Sequence, residues 1–98
     1  MNKVNIHKQI CEQLHSTYIA KNSDYGDSYE QVRSKYPNSI LIRLNDKLNR
    51  LESLYRKDKI NKVKDESVKD TLLDLANYCI LELVAMEIEK VMEKTNMR

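Results

Sequence analysis

Asp46, Asp70 and Asp74 carry the residue type and spacing that point most directly to chemistry. Asp70 and Asp74 stand four residues apart, so a helix through them puts both carboxylates on one face. With Asp46 supplied by a neighbouring helix, the three form an oxygen-rich site for Mg²⁺ or Mn²⁺, with amides and waters completing the shell. The competing reading pairs the same acids with Arg43, Lys47, Arg50 or Lys69 as ordinary helix-surface ion pairs. Residue types and spacing leave both readings open.

The stretch KNSDYGDS is the second group with chemical content. Lys21 and the backbone around Gly26 suit a phosphate, and Tyr25, next to Asp24, suits stacking on a base. Alternatively Gly26 supplies a positive φ while the Asp and Ser residues cap the next helix. Cys11 and Cys79 have no CxxC spacing and read as small core residues of a reducing compartment. His7 and His15, eight apart, match no metal-ligand spacing and read as solvated or packed side chains.

These groups must be positioned by helices. Val4, Ile6, Ile10, Leu14, Tyr18 and Ile19 recur at helical steps, which predicts a first amphipathic helix over about residues 3–20. The segment KNSDYGDSYE then reads as a turn, with Asp27 and Glu30 at capping-box spacing for a short helix to about Tyr36. Pro37 ends it, and Asn38 or Ser39 opens a long helix whose apolar stripe is Leu41, Leu44, Leu48, Leu51 and Tyr55. Asp46, Ile42, Asn49 and Ser53 lie on its other side, with Arg43 and Arg50 on the flank. The polar run KDKINKVKDES reads as a loop, and Ser67 with Asp70 reads as the cap of a last helix from Val68 to about Lys94. Asp70, Asp74, Asn77, Leu81, Val84 and Ile88 share one stripe of that helix.

Composition agrees with an all-α fold: a small bundle of three longer helices and one short helix, in a single domain spanning 1–98. One Gly, one Pro and 33% charged residues leave too little turn chemistry for a β-sandwich or barrel. Between Leu72 and Ile88 apolar residues occur almost all the way round the last helix. A bundle this small cannot enclose one of its own members, so the surplus predicts completion by self-association, into a dimer or tetramer. The formal charge of +2 neither demands a nucleic-acid partner nor excludes a phosphate ligand. The basic residues are scattered among acids, which argues against DNA binding. No run of signal-peptide or membrane-span character is present, which predicts a cytoplasmic protein without a membrane partner.

The pieces KNSDYGDSYEQV, LIRLNDKLNRLESL and VKDESVKDTLLDLANYCILELV, in this order, resemble the family called nucleotide modification associated domain 1. The resemblance runs from about Lys21 to Val84 and implies a small helical protein of phages or prophages, acting in nucleotide metabolism of the host cytoplasm. More distantly the chain resembles the all-α nucleoside triphosphate pyrophosphatases, MazG-like enzymes that bind Mg²⁺ through ExxE on one helix and ExxD on the next. Asp46 with Asn49 would take the first motif, and Asp74 would take the final Asp. The Glu expected three residues before Asp74 is here Thr71, with Asp70 one residue further back, so one carboxylate is missing.

The resemblance implies a Mg²⁺-dependent pyrophosphohydrolase-like domain acting on a nucleoside triphosphate. Asp46, Asp70 and Asp74 would hold metal as the catalytic residues, and metal-activated water would attack phosphorus. Asn49 and Asn77 would orient water or ligand, and Lys21, Lys47 and Arg50 would neutralise phosphates. Asp24, Tyr25 and Gly26 would complete the substrate contacts. The alternative is a non-enzymatic helical module that binds a protein partner through its apolar last helix.

Overall fold

The computed structural model describes residues 2–25, 27–56 and 62–96, with side chains for 2–22, 27–56 and 66–95. Its regular structure is α-helical throughout: α1 Lys3–Tyr25, α2 Ser28–Lys35, α3 Ser39–Arg56 and α4 Lys62–Asn96. The chain is all-α, as its composition demands.

Two helices are longer than local signals predict. Helix α1 runs through KNSDY, the first part of the expected turn, and stops at Tyr25, immediately before Gly26, the residue type that most often follows a helix end. Helix α4 begins at Lys62, so Val63 to Ser67, expected as loop, are helical. No Gly or Pro interrupts that stretch, and propagation adds one hydrogen bond per residue once a helix has nucleated. Ser67 therefore lies within the helix instead of capping it. Its carbonyl accepts the Thr71 hydroxyl at 2.6 Å, a bond between a side chain and the carbonyl one turn back.

Helices α2 and α3 begin as expected, and α2 is capped differently. Asp27 precedes α2 with φ −91° and ψ 20° and makes no side-chain cap, so the Asp27–Glu30 capping box does not form. Its carbonyl still accepts the Gln31 N–H at 3.0 Å. Tyr36, pushed out of the helical region by Pro37, closes α2 by donating its N–H to Val32 O at 2.8 Å.

Helices α3 and α4 form the packed centre of the molecule. The face α3 presents is rotated from the expected leucine stripe: Leu51 is buried and Ile40, Arg43, Leu44, Lys47 and Leu54 are half-buried, whereas Leu41, Leu48 and Tyr55 are exposed. On α4 the buried residues are Thr71, Asn77 and Ala85. Two of these are polar, so the inner face of α4 is less greasy than its composition suggests. Cys11 and Cys79 are both exposed free thiols, which corrects their assignment to the core. No helix among the described residues is long and apolar enough to cross a membrane.

Candidate functional site

A cavity of about 410 Å³ opens where all four helices meet, within the size range of small-molecule sites. Helices α1, α3 and α4 line it with residues about one turn apart, and α2 lines it with its first turn. Tyr18, Lys21 and Asn22 come from α1, Tyr29 and Glu30 with Ser28 from α2, Arg43 and Lys47 from α3, and Asp74, Asn77, Tyr78 and Leu81 from α4.

Cations and aromatic rings dominate the lining. The Arg43 guanidinium carbon lies 5.8 Å from the centre of the Tyr29 ring and 5.4 Å from that of Tyr78, so the charge rests between two π-faces. Lys47 Nζ meets Asp74 Oδ2 at 3.2 Å and neutralises the cavity's α4 carboxylate. Among the described residues no ion pair joins Lys21 or Arg43 to a carboxylate. Asn77 is 8% exposed, and its buried Oδ1 has no hydrogen-bond partner. Leaving such an acceptor unpaired costs about 1–3 kcal/mol, so it is a group waiting for a donor.

Behind the cavity a polar latch ties α2 to α4. Arg33 Nε donates to both Glu82 oxygens at 3.1 and 3.0 Å, Arg33 NH1 reaches Glu89 at 2.9 Å, and the Tyr29 hydroxyl donates to Glu82 at 3.0 Å. Hydrogen bonds to Glu89 and then Glu82 raise the Arg33 pKa above its ordinary value. Burial, followed by the hydrogen bond and charge of Glu82, pushes the Tyr29 hydroxyl up to about 12.

The geometry redistributes the residues that spacing singled out. Lys21, Lys47, Asp74 and Asn77 converge on the cavity. Asp46, Asn49, Arg50 and Asp70 are exposed and lie outside its lining. Arg50 instead donates from Nε to the Thr71 hydroxyl at 3.2 Å, which fixes α3 against α4. The side chains of Asp24 and Tyr25, and Gly26 itself, lie outside the described residues. The described residues contain no group of three His, Cys, Asp or Glu side chains close enough to hold a metal ion. Asp46, Asp70 and Asp74 thus do not fit a three-carboxylate metal centre within one chain. Thr71, standing where the pyrophosphatase pattern expects Glu, is 2% exposed and hydrogen-bonded, and brings no charge there.

Sequence reasoning missed Tyr18, Tyr29, Arg43 and Tyr78 as cavity residues. The signal was present: Asp74, Asn77, Tyr78 and Leu81 fall at i, i+3, i+4 and i+7, and Arg43 and Lys47 at i and i+4. Following the carboxylates alone drew attention away from the rings between them.

The fold and cavity define a small all-α domain whose candidate site is a cavity lined by three cations, two carboxylates and three tyrosines. The chain belongs to the family described as nucleotide modification associated domain 1, which matches residues 21–86 and so includes almost all of that site. Comparison with curated proteins and with solved structures yields no match.

Proposed function

We propose that this domain binds a nucleotide in the four-helix cavity, with phosphates against Lys21, Arg43 and Lys47 and the base among Tyr18, Tyr29 and Tyr78. The observation that carries this reading is the unpartnered Asn77 Oδ1 buried at the cavity wall. A base N–H would satisfy it, and the surrounding cations and rings match the two remaining parts of a nucleotide. Membership in a family named for nucleotide modification supports the same ligand class.

Pyrophosphohydrolysis of a nucleoside triphosphate with Mg²⁺ or Mn²⁺, in a phage or prophage setting, is the finer form of this proposal. It is supported by the motif resemblance and by Glu30 and Asp74 lining one cavity. Because the acids do not converge as a metal centre, binding is the primary proposal and hydrolysis the secondary one. We also propose that the molecule works as a homo-oligomer, supported by the apolar side chains exposed on α1 and α4.

Titration of the purified chain with a panel of deoxynucleoside triphosphates, with and without Mg²⁺ or Mn²⁺, tests the proposal by calorimetry and thermal shift. A triphosphate should raise the melting temperature without metal, and Lys47→Ala should reduce that rise. Hydrolysis appearing only with metal would support the finer reading. No shift with any nucleotide, with or without metal, overturns nucleotide binding and leaves the protein-interaction module.

A further inference from the structure

Leu72, Ala76, Cys79, Leu83 and Met86 follow one another along α4 at alternating steps of four and three. That is the heptad spacing of a coiled-coil seam. At about 100° per residue the five lie roughly 100–180° around the helix from Ala85, and so point away from the face that packs on α3. Leu72, Leu83 and Met86 are 49%, 59% and 50% exposed, Cys79 is exposed and Ala76 is half-buried. Among the described residues, therefore, none covers most of this seam.

The area left in solvent is large enough for a second copy to cover. A folded monomer of this mass is expected to expose about 5,800 Å², whereas this chain exposes 8268 Å². The excess, roughly 2,400 Å² per chain, is of the size that large obligate subunit interfaces conceal. Among the described residues the buried apolar ones are Leu51 and Ala85, a core that needs such a surface to complete it.

We infer that the α4 seam pairs with the same seam of a second copy, about a two-fold axis near Cys79. This inference rests on the homo-oligomer reading and is independent of nucleotide binding. Charge sets the length of the seam. The apolar run is bounded by Lys69 and Lys90, both continuing the seam spacing. In either direction the pairing sets these lysines against one another at the two ends, so they confine the contact to the apolar run between them. A seam matched to itself also closes by two-fold symmetry and leaves no free edge for further growth.

Light scattering on the full chain, combined with thiol cross-linking in a Cys11→Ser background, tests the inference. The native chain should be a dimer or a multiple of dimers, and a short bis-maleimide should join Cys79 to Cys79 of the second copy. Leu83→Glu should abolish the cross-link and halve the mass, and Leu41→Glu, on an exposed part of α3, should change neither. Met86→Lys, read alongside circular dichroism, supplies a second seam variant should Leu83→Glu fail to fold. A monomeric native chain overturns both the seam and the oligomer reading. An oligomer that survives both seam substitutions and leaves Cys79 unlinked overturns the seam alone.

Discussion

The Lys47 ammonium and the Asp74 carboxylate meet at 3.2 Å across the α3–α4 contact, inside the cavity wall. Their side chains are 30% and 40% exposed, so solvent screens the pair and it contributes at most about 1 kcal/mol to stability. Asp74→Asn should accordingly lower the melting temperature only slightly. Because the substitution frees Lys47 and removes a negative charge from the cavity, it should tighten triphosphate binding by about fivefold, equivalent to roughly 1 kcal/mol. Calorimetry at two salt concentrations checks this, with the gain shrinking as salt rises. Weaker binding, with loss of a metal-dependent hydrolysis, would assign Asp74 to a metal instead.

Asn77 supplies the second prediction. Its buried Oδ1 destabilises the empty domain by remaining unpaired. Asn77→Leu, which keeps the branched arrangement of four side-chain heavy atoms, should therefore leave stability unchanged or raise it by about 1–2 kcal/mol, a gain of several degrees in a domain of this size. The same variant should lose the nucleotide-induced rise in melting temperature. Lower stability with an undiminished nucleotide shift would show that Asn77 serves the fold and not the ligand.

The Tyr29 hydroxyl, raised to about 12 in the folded chain, predicts an alkaline stability profile. Its unfolded value is about 10, so the folded state holds the proton more tightly. The sign follows by linkage: the contribution is complete below pH 10 and is lost as pH rises toward 12. Melting temperature should fall through that interval more steeply for the native protein than for Tyr29→Phe. Equal slopes would mean that the hydroxyl does not donate to Glu82 in solution.

The all-α class was legible in the sequence because one Gly and one Pro leave few ways to turn a chain of 98 residues. The start of α3 was legible too, since Pro37 restricts Tyr36 and Ser39 follows at once. The start of α4 was not. Ser67 looked like a cap, but cap preference amounts to about 1 kcal/mol, and a run free of helix breakers extended the helix past it. The cavity was half legible: Lys21, Lys47, Asp74 and Asn77, singled out by type and spacing, all line it. Asp46 and Asp70 lie outside its lining: Asp70 shares the stripe of Asp74 but stands one turn further along α4, and residue spacing alone does not say where along a helix a cavity ends. Rotation of α3 toward Arg43 and Lys47 is a tertiary outcome, decided by the polar face of α4 that it meets.

Arg33 carries the last prediction. Helix α2 has eight residues and buries none of them, so apolar packing alone does not hold it against α4. What joins them is the Arg33 fork on Glu82 with its arm to Glu89, and the Tyr29 hydroxyl on the same Glu82. Lysine keeps the charge of Arg33 but lacks the planar fork, so it cannot satisfy both glutamates in this geometry. Arg33→Lys should therefore loosen α2 selectively. Amide hydrogen exchange over Ser28–Lys35 should speed up while the α3–α4 contact keeps its protection. Tyr29 and Glu30 travel with α2 and line the cavity, so the loosened helix should also weaken nucleotide binding. Exchange rising equally over α2, α3 and α4 would show that the latch supports the whole bundle, and unchanged exchange over α2 would show that it is not held by Arg33 at all.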